Sequence, residues 1–241
     1  MRENCLMVKI RFLSGEKTVY KAATLGCFDG LHLGHQYLIQ KLTKPACLIK
    51  LVPNPKVVFK KISFAKKILT LRLFLAYLKN FTGLTVALMR FDKRVRSLKA
   101  EDFLWHLSNE LSITEIILGE DAKLGIDQKS ASELLMSPIL SVKKVELRSF
   151  NGQKISSTYL RNLIITGDLE SFFCLTGRFI ELDVRQFNQQ FSCLNLHPLA
   201  GSYIAVSEGS EFRLRFENET LVIEPSWNQK RRIFRLLKRV G

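Results

Sequence analysis

The sequence predicts an α/β fold, a mostly parallel sheet with helices on both faces, followed by a small, reduced antiparallel β module. Three observations predict it. Short runs of strand formers alternate with segments of helical apolar spacing over residues 1–176. The first clear run ends in a glycine-bearing turn that opens directly into a helix. After Gly177, two-residue alternation replaces the helical period.

The elements follow in order. Residues 19–28 (VYKAATLGCF) are rich in strand formers, and 33–42 carry helical spacing after the turn. Residues 47–52 (CLIKLV) read as a buried strand stopped by Pro53 and Pro55. Thr70 is placed to cap a helix over 69–81. Residues 84–91 (LTVALMRF) form the next strand, and 100–111 (AEDFLWHLSNEL) a helix with carboxylates in its first turn. Residues 114–118 (TEIIL) are a short buried strand, and 142–147 alternate. A hydroxyl-rich turn opens the helix 156–165, which ends at Gly167. Strands separated by helices imply right-handed crossovers and a parallel sheet. In the second module, 202–206 and 212–216 alternate as strands, and 230–239 (KRRIFRLLKR) reads as a basic amphipathic helix. The domain division expected is therefore 1–176 and 177–241.

Composition narrows the function classes. No stretch reaches the ~20 consecutive apolar residues of a membrane span, and Arg2, Glu3, Lys9 and Arg11 interrupt the opening residues, so neither a span nor a signal peptide is expected. Five scattered cysteines form no Cys-x-x-Cys pair, which argues against a zinc site or a disulfide framework and for a cytoplasmic setting. The net charge of +15 suits phosphate-bearing partners. Charge alone does not choose among nucleotides, nucleic acids and anionic membranes, and oligomeric state is not legible.

Two segments carry chemistry. In Gly26-Cys27-Phe28-Asp29-Gly30-Leu31-His32-Leu33-Gly34-His35, two of the four histidines fall three residues apart where a strand yields to a helix. They stand beside the partial positive charge and unbonded N–H groups of a helix start, a setting for polyphosphate. Gly30 and Gly34 are read as letting the backbone approach a ligand closely. Ile155-Ser156-Ser157-Thr158-Tyr159-Leu160-Arg161 puts hydroxyls on a helix's first turn and an arginine one turn on, a second anion cradle. Taken alone, it is also what plain N-capping looks like. His106 is read as structural, His197 before Pro198 as a loop residue, and Phe172 and Phe173 as core.

Together, in this order, the two segments resemble the nucleotidyltransferase superfamily, and the wording Phe28-Asp29-Gly30-x-His32-x-Gly34-His35 resembles the bacterial FAD synthases, the bifunctional riboflavin kinase/FMN adenylyltransferase family. Pro53-Asn54-Pro55 sits where that family has Pro-His-Pro, Leu69-Thr70 opens the next helix, and Phe91-Asp92, Ser97-Leu98, Ala100-Glu101 and Phe103 follow its pattern, as does Gly119-Glu120-Asp121. The resemblance spans residues 20–178.

It implies a Rossmann-like nucleotidyltransferase domain joining AMP from ATP to FMN, with FAD and pyrophosphate as products and Mg2+ arriving with ATP. It implies that His32 and His35 stabilise charge at the α-phosphate, and that Arg161, with Ser157 and Thr158, holds pyrophosphate. Gly26, Phe28, Asp29, Gly30, Gly34 and Asp121 would contact the nucleotide, and Pro53, Asn54 and Pro55 the flavin; no residue is assigned to metal. Ala122 and Leu124 replace aromatics that enclose the flavin ring in the family, and Cys27 replaces an asparagine. The family's kinase barrel has a glycine loop leading to Phe-Pro-Thr-Ala-Asn. This chain has Phe191-Ser192-Cys193-Leu194-Asn195 without that loop, so Cys193 takes the place of a hard oxygen ligand. Kinase activity is expected to be lost, and residues 177–241 to fall short of a full barrel with a helical tail.

Three alternatives stay open: a chain still bifunctional with riboflavin kinase activity, transfer to another phosphate acceptor, and an inactive basic relative binding nucleic acid or a regulatory partner through Lys230, Arg231, Arg232, Arg235, Lys238 and Arg239.

Overall fold

The computed structural model describes residues 10–12, 19–59, 66–146, 149–150, 153–187, 190–217, 220–225 and 230–240. Apart from 10–12, the opening residues read for a leader lie outside these, as does Leu147.

In chain order the first elements are β1 (Ile10–Phe12), β2 (Ala22–Gly26), α1 (Leu33–Gln40), β3 (Ala46–Val52), α2 (Pro55–Val58), α3 (Leu71–Leu78), β4 (Leu84–Arg90), α4 (Lys93–Ser97), α5 (Ala100–Leu111) and β5 (Glu115–Gly119). Next come β6 (Lys123–Leu124), β7 (Lys129–Ser130), β8 (Ser141–Val145), β9 (Ser149–Phe150), β10 (Gln153–Lys154), α6 (Ser157–Thr166) and α7 (Leu169–Thr176). The last part holds β11 (Glu181–Phe187), β12 (Gln190–Cys193), β13 (Ala200–Ser207), β14 (Ser210–Glu217), β15 (Thr220–Glu224) and β16 (Arg231–Arg239).

The described residues gather into two compact units. One takes in those of Met1–Phe28, Gly34–Phe64 and Phe81–Arg148, the other those of Asp29–Leu33, Ala65–Asn80 and Ser149–Gly241.

The first unit is built on a sheet of order β1-β4-β3-β2-β5-β8. Its five strands from β4 to β8 run parallel, with β1 antiparallel on the edge. β3 is apolar but for Lys50, and its first five residues are buried, as central parallel strands require. Leu104, Leu107 and Leu111 of α5 bury their helical stripe with Ala23, Ile49, Met89 and Ile116 of the sheet. The N–H of Ala100, at the start of α5, finds its acceptor 27 residues on, 2.9 Å away in Asp127 Oδ1. The chain moves outward one way from β2 through β3 to β4 and the other way from β2 through β5 to β8. The switch point therefore lies between β2 and β5, where sheets of this kind hold ligands at their carboxyl ends.

The second unit contains a closed barrel of order β11-β12-β15-β14-β13-β16. Along β14, Phe212, Leu214 and Phe216 point inward and Arg213 and Arg215 outward. Phe212 meets Phe234 edge-on at 5.2 Å, and Tyr203 meets Phe216 at 5.8 Å.

Two expectations are corrected here. Residues 231–239 form a strand, not a basic helix, and the module closes into a barrel although it is short. Ile233, Phe234, Leu236 and Leu237 satisfy a helical stripe on paper. In the barrel Phe234 and Leu236 turn inward, and the strand pairs with β11 on one side and β13 on the other. Closure supplies hydrogen-bond partners on both edges, which outweighs local helical spacing.

Candidate functional site

In the first unit the residues singled out from the sequence gather at the carboxyl ends of the parallel strands. Gly26 ends β2, Pro53-Asn54-Pro55 follows β3, and Asp121 follows β5 on an exposed turn. The Asn54 carbonyl accepts the N–H groups of Val57 and Val58 and so starts α2. Phe28 is buried, with its ring 5.2 Å from that of His35. A Cβ on Gly26 would stand 3.4 Å from the Phe28 ring.

Reading the sequence missed two features of this unit. Lys50, in the middle of β3 and only 9% exposed, donates to the Cys27 carbonyl. A lysine inside the apolar run CLIKLV was its signal. Phe59, 45% exposed, meets Phe91 edge-on at 5.8 Å, one after α2 and the other after β4. Each ring is an ordinary apolar residue in sequence, and only the parallel pairing of β3 with β4 brings their strand ends together.

In the second unit the turn preceding α1 is tied to the start of α6. Leu31, at φ 40°, and Gly30, at φ 87°, lie in the left-handed region, so the turn is a strained one. Asp29 holds it in shape. Its Oδ1 accepts the Ile68 N–H at 3.0 Å, its Oδ2 pairs with Arg161 Nη2 at 2.5 Å, and its carbonyl accepts the Ser157 hydroxyl at 2.7 Å. Arg161 also donates through Nη1 to the Lys66 carbonyl at 2.6 Å. The structure thus brings Asp29, Gly30, His32, Ser157, Thr158 and Arg161 into one unit, although some 125 residues separate turn from helix.

His32 is 5% exposed, Thr158 is exposed on the first turn of α6, and Ser156 caps that helix by accepting the Tyr159 N–H. His35 lies in the first turn of α1, and Gly34 is buried there. Gly30 differs from its expected use. A Cβ there would stand 2.9 Å from Leu160 and 3.0 Å from Ile68, so the space that glycine leaves is filled by protein.

Around this turn lies a polar network that the sequence did not disclose. Arg178 donates to the Gly30 carbonyl, and its guanidinium lies 4.5 Å from the Tyr77 ring centre. Burial pushes the Arg178 pKa below its ordinary value. Asn195 is 1% exposed; its amide donates to Ile68 O and Glu181 O and accepts from the Asp183 N–H. Burial pushes the Cys193 thiol up to about 12, so it stays protonated near neutrality. Among the described residues no group of three His, Cys, Asp or Glu side chains stands together as a metal site, and no helix is long and apolar enough to cross a membrane.

Residues 15–159 match the family described as FAD synthetase. A bifunctional riboflavin kinase/FMN adenylyltransferase of Buchnera aphidicola from Schizaphis graminum is 29% identical over 170 residues, covering 65% of this chain and 54% of that protein. The Escherichia coli K12 protein of the same description is 27% identical over 179 residues, covering 66% and 57%. The chain therefore spans about half the length of the curated relatives it matches. A solved structure described as a macrolide-efflux protein from Streptococcus pneumoniae superposes with a TM-score of 0.76 over 94% of this chain and 86% of that one, at 21% identity, a likeness of fold alone.

Proposed function

We propose that this chain, which belongs to the FAD synthetase family, transfers the adenylyl group of ATP to FMN. A phosphate oxygen of FMN attacks the α-phosphorus of ATP, the bond from that phosphorus to the bridging oxygen breaks, and pyrophosphate leaves. The observation that carries this reading is the fastening of the Asp29–Leu33 turn, which bears His32, to the first turn of α6 through Ser157 and Arg161. The turn that bears His32 and the anion-holding start of α6 are thereby held together within one unit, and in-line displacement needs little more than positioning and charge stabilisation.

In this reading His32 and His35 stabilise charge growing on the α-phosphate and the bridging oxygen. Thr158 and the N–H groups of the α6 start receive pyrophosphate. Ser157 and Arg161 act there while also locking Asp29. Magnesium enters with ATP as part of the substrate, and Asp121 serves the nucleotide. Pro53-Asn54-Pro55 borders the flavin, and the Phe59–Phe91 pair offers an exposed aromatic surface where Ala122 and Leu124 offer none. No disulfide joins Cys47, Cys174 and Cys193, which suits the reducing cytoplasm.

Riboflavin kinase activity is absent in this reading. A buried, protonated Cys193 is a poor magnesium ligand, and the Asn195 amide is occupied by three backbone groups. Residues 1–176 then carry the transfer chemistry, and 177–241 carry none of their own.

The test is to mix the purified chain with magnesium-ATP and either FMN or riboflavin, and to identify the flavin products by chromatography. FAD from FMN and no FMN from riboflavin is the expected outcome. Rapid phosphorylation of riboflavin would overturn the kinase part, and absence of FAD the whole reading.

A further inference from the structure

Two residues tie a barrel without chemistry to the turn that bears His32, one by direct contact and one through residues 66–68. The first is Arg178, between α7 and β11. Its guanidinium lies over Tyr77 at 4.5 Å and 5.5 Å from the Phe172 ring centre, and Nη2 donates to the Gly30 carbonyl. Nε and Nη1 are buried with no hydrogen-bond partner among the described residues. A buried cation with donors unmet is a net cost, and an apolar side chain in its place would pack with less. Tyr77 is fixed in turn by donating to Glu181 at 2.5 Å, on the first residue of β11.

The second is Asn195. Its Nδ2 donates to the Ile68 carbonyl at 3.0 Å while the Ile68 N–H donates to Asp29 at 3.0 Å, so one peptide segment is held from both sides. The Leu196 N–H binds the Lys67 carbonyl at 2.8 Å, and the Lys66 carbonyl accepts from Arg161. Residues 66–68 are therefore a shared strap, gripped by 195–196 of the barrel on one side and by Asp29 and Arg161 on the other.

We propose that Arg178 and Asn195 are positioning residues for adenylyl transfer: the first fixes the Gly30 carbonyl, the second fixes the strap that holds Asp29, and together they set where His32 stands. This rests on the transfer reading above. A module with no reaction of its own thereby serves as the mould for the other half's turn, and Asn195 is its clasp.

The test uses the full chain with Arg178→Met, Arg178→Lys and Asn195→Ala, measuring kcat and KM for FAD formation from FMN and magnesium-ATP, together with the unfolding temperature. For Arg178→Met the unfolding temperature is expected to hold or rise, while kcat falls about 10²-fold, the scale of a 1 Å displacement of catalytic groups. KM for FMN should stay within about twofold, because ground-state binding of the flavin is not altered. Arg178→Lys, which keeps the cation and one donor, should recover part of kcat. Asn195→Ala should lower both kcat and the unfolding temperature, since it leaves backbone groups unmet. Folded Arg178→Met with wild-type kcat overturns the inference while leaving the transfer reading intact. Should that variant not fold, wild-type kcat in Asn195→Ala overturns the inference, since the strap that holds Asp29 would then not set the turn. A wild-type chain that makes no FAD overturns both.

Discussion

Asp29 is the residue on which the candidate site turns, and its burial explains why. A carboxylate 8% exposed is tolerable only when its oxygens are met, and here Ile68 N–H and the Arg161 guanidinium meet them. The strain at Leu31 is held in a turn that this carboxylate fastens. His32 follows at once in the chain, so its placement is inherited from Asp29. Replacing His32 with alanine is expected to leave the circular dichroism spectrum unchanged and to lower kcat for FAD formation about 10²–10³-fold, the cost of losing one preorganised charge-stabilising group. Unchanged kcat would remove His32 from the chemistry. The histidine pair and the Ser-Ser-Thr-x-x-Arg turn were legible in sequence because their residue types and order are specific. Lys50, Phe59 and Arg178 were not, since a single lysine, phenylalanine or arginine carries no signal until folding supplies its neighbours.

At the scale of elements, most boundaries were written locally. Thr70 accepts the Leu73 N–H and starts α3, Ser156 starts α6, and Gly167, at φ 75°, ends it. Gly167 also answers to the barrel, because a Cβ there would stand 2.1 Å from the Tyr203 hydroxyl. The strand β11 carries the least local feature, Asp183, wholly buried on a barrel strand. Burial works against its charge, but the Arg231 fork and the Thr70 hydroxyl, at 2.7 Å, outweigh it and hold its pKa below the ordinary carboxylate value. A depressed pKa contributes stability above the unfolded-state value, about 3.9, and loses it as pH falls through the folded value. Urea unfolding of Asp183→Asn should therefore show a loss of about 1–3 kcal/mol at pH 7, and a shallower decline than the wild type below about pH 4. Parallel curves for the two proteins would show that the pair contributes nothing. The misread of 231–239 belongs to this scale as well. Four apolar residues spaced to fit either period cannot declare which one applies, and the free edges of β11 and β13 decide it.

At the scale of the molecule, residues distant in sequence share a unit. Asp29–Leu33 and Ala65–Asn80 fall with Ser149–Gly241, not with the sheet strands that flank them in the chain. Native-state hydrogen exchange should then show the amides of Leu71–Leu78 opening together with barrel strands such as β13 and β14, and separately from β3 and β4. Exchange of α3 in step with β3 would contradict that grouping. The sequence by itself determined the alternation of strand and helix and the caps, because each depends on residue types within about a dozen positions of one another, and it determined the family through motifs spread over residues 20–178. Tertiary structure alone decided that the short second module closes, that its last segment is a strand, that Arg178 meets the turn bearing His32, and that Asn195 meets Ile68. Those outcomes depend on which edges and buried polar groups still lack partners once the local elements exist, and such needs arise only between segments that the chain order keeps apart.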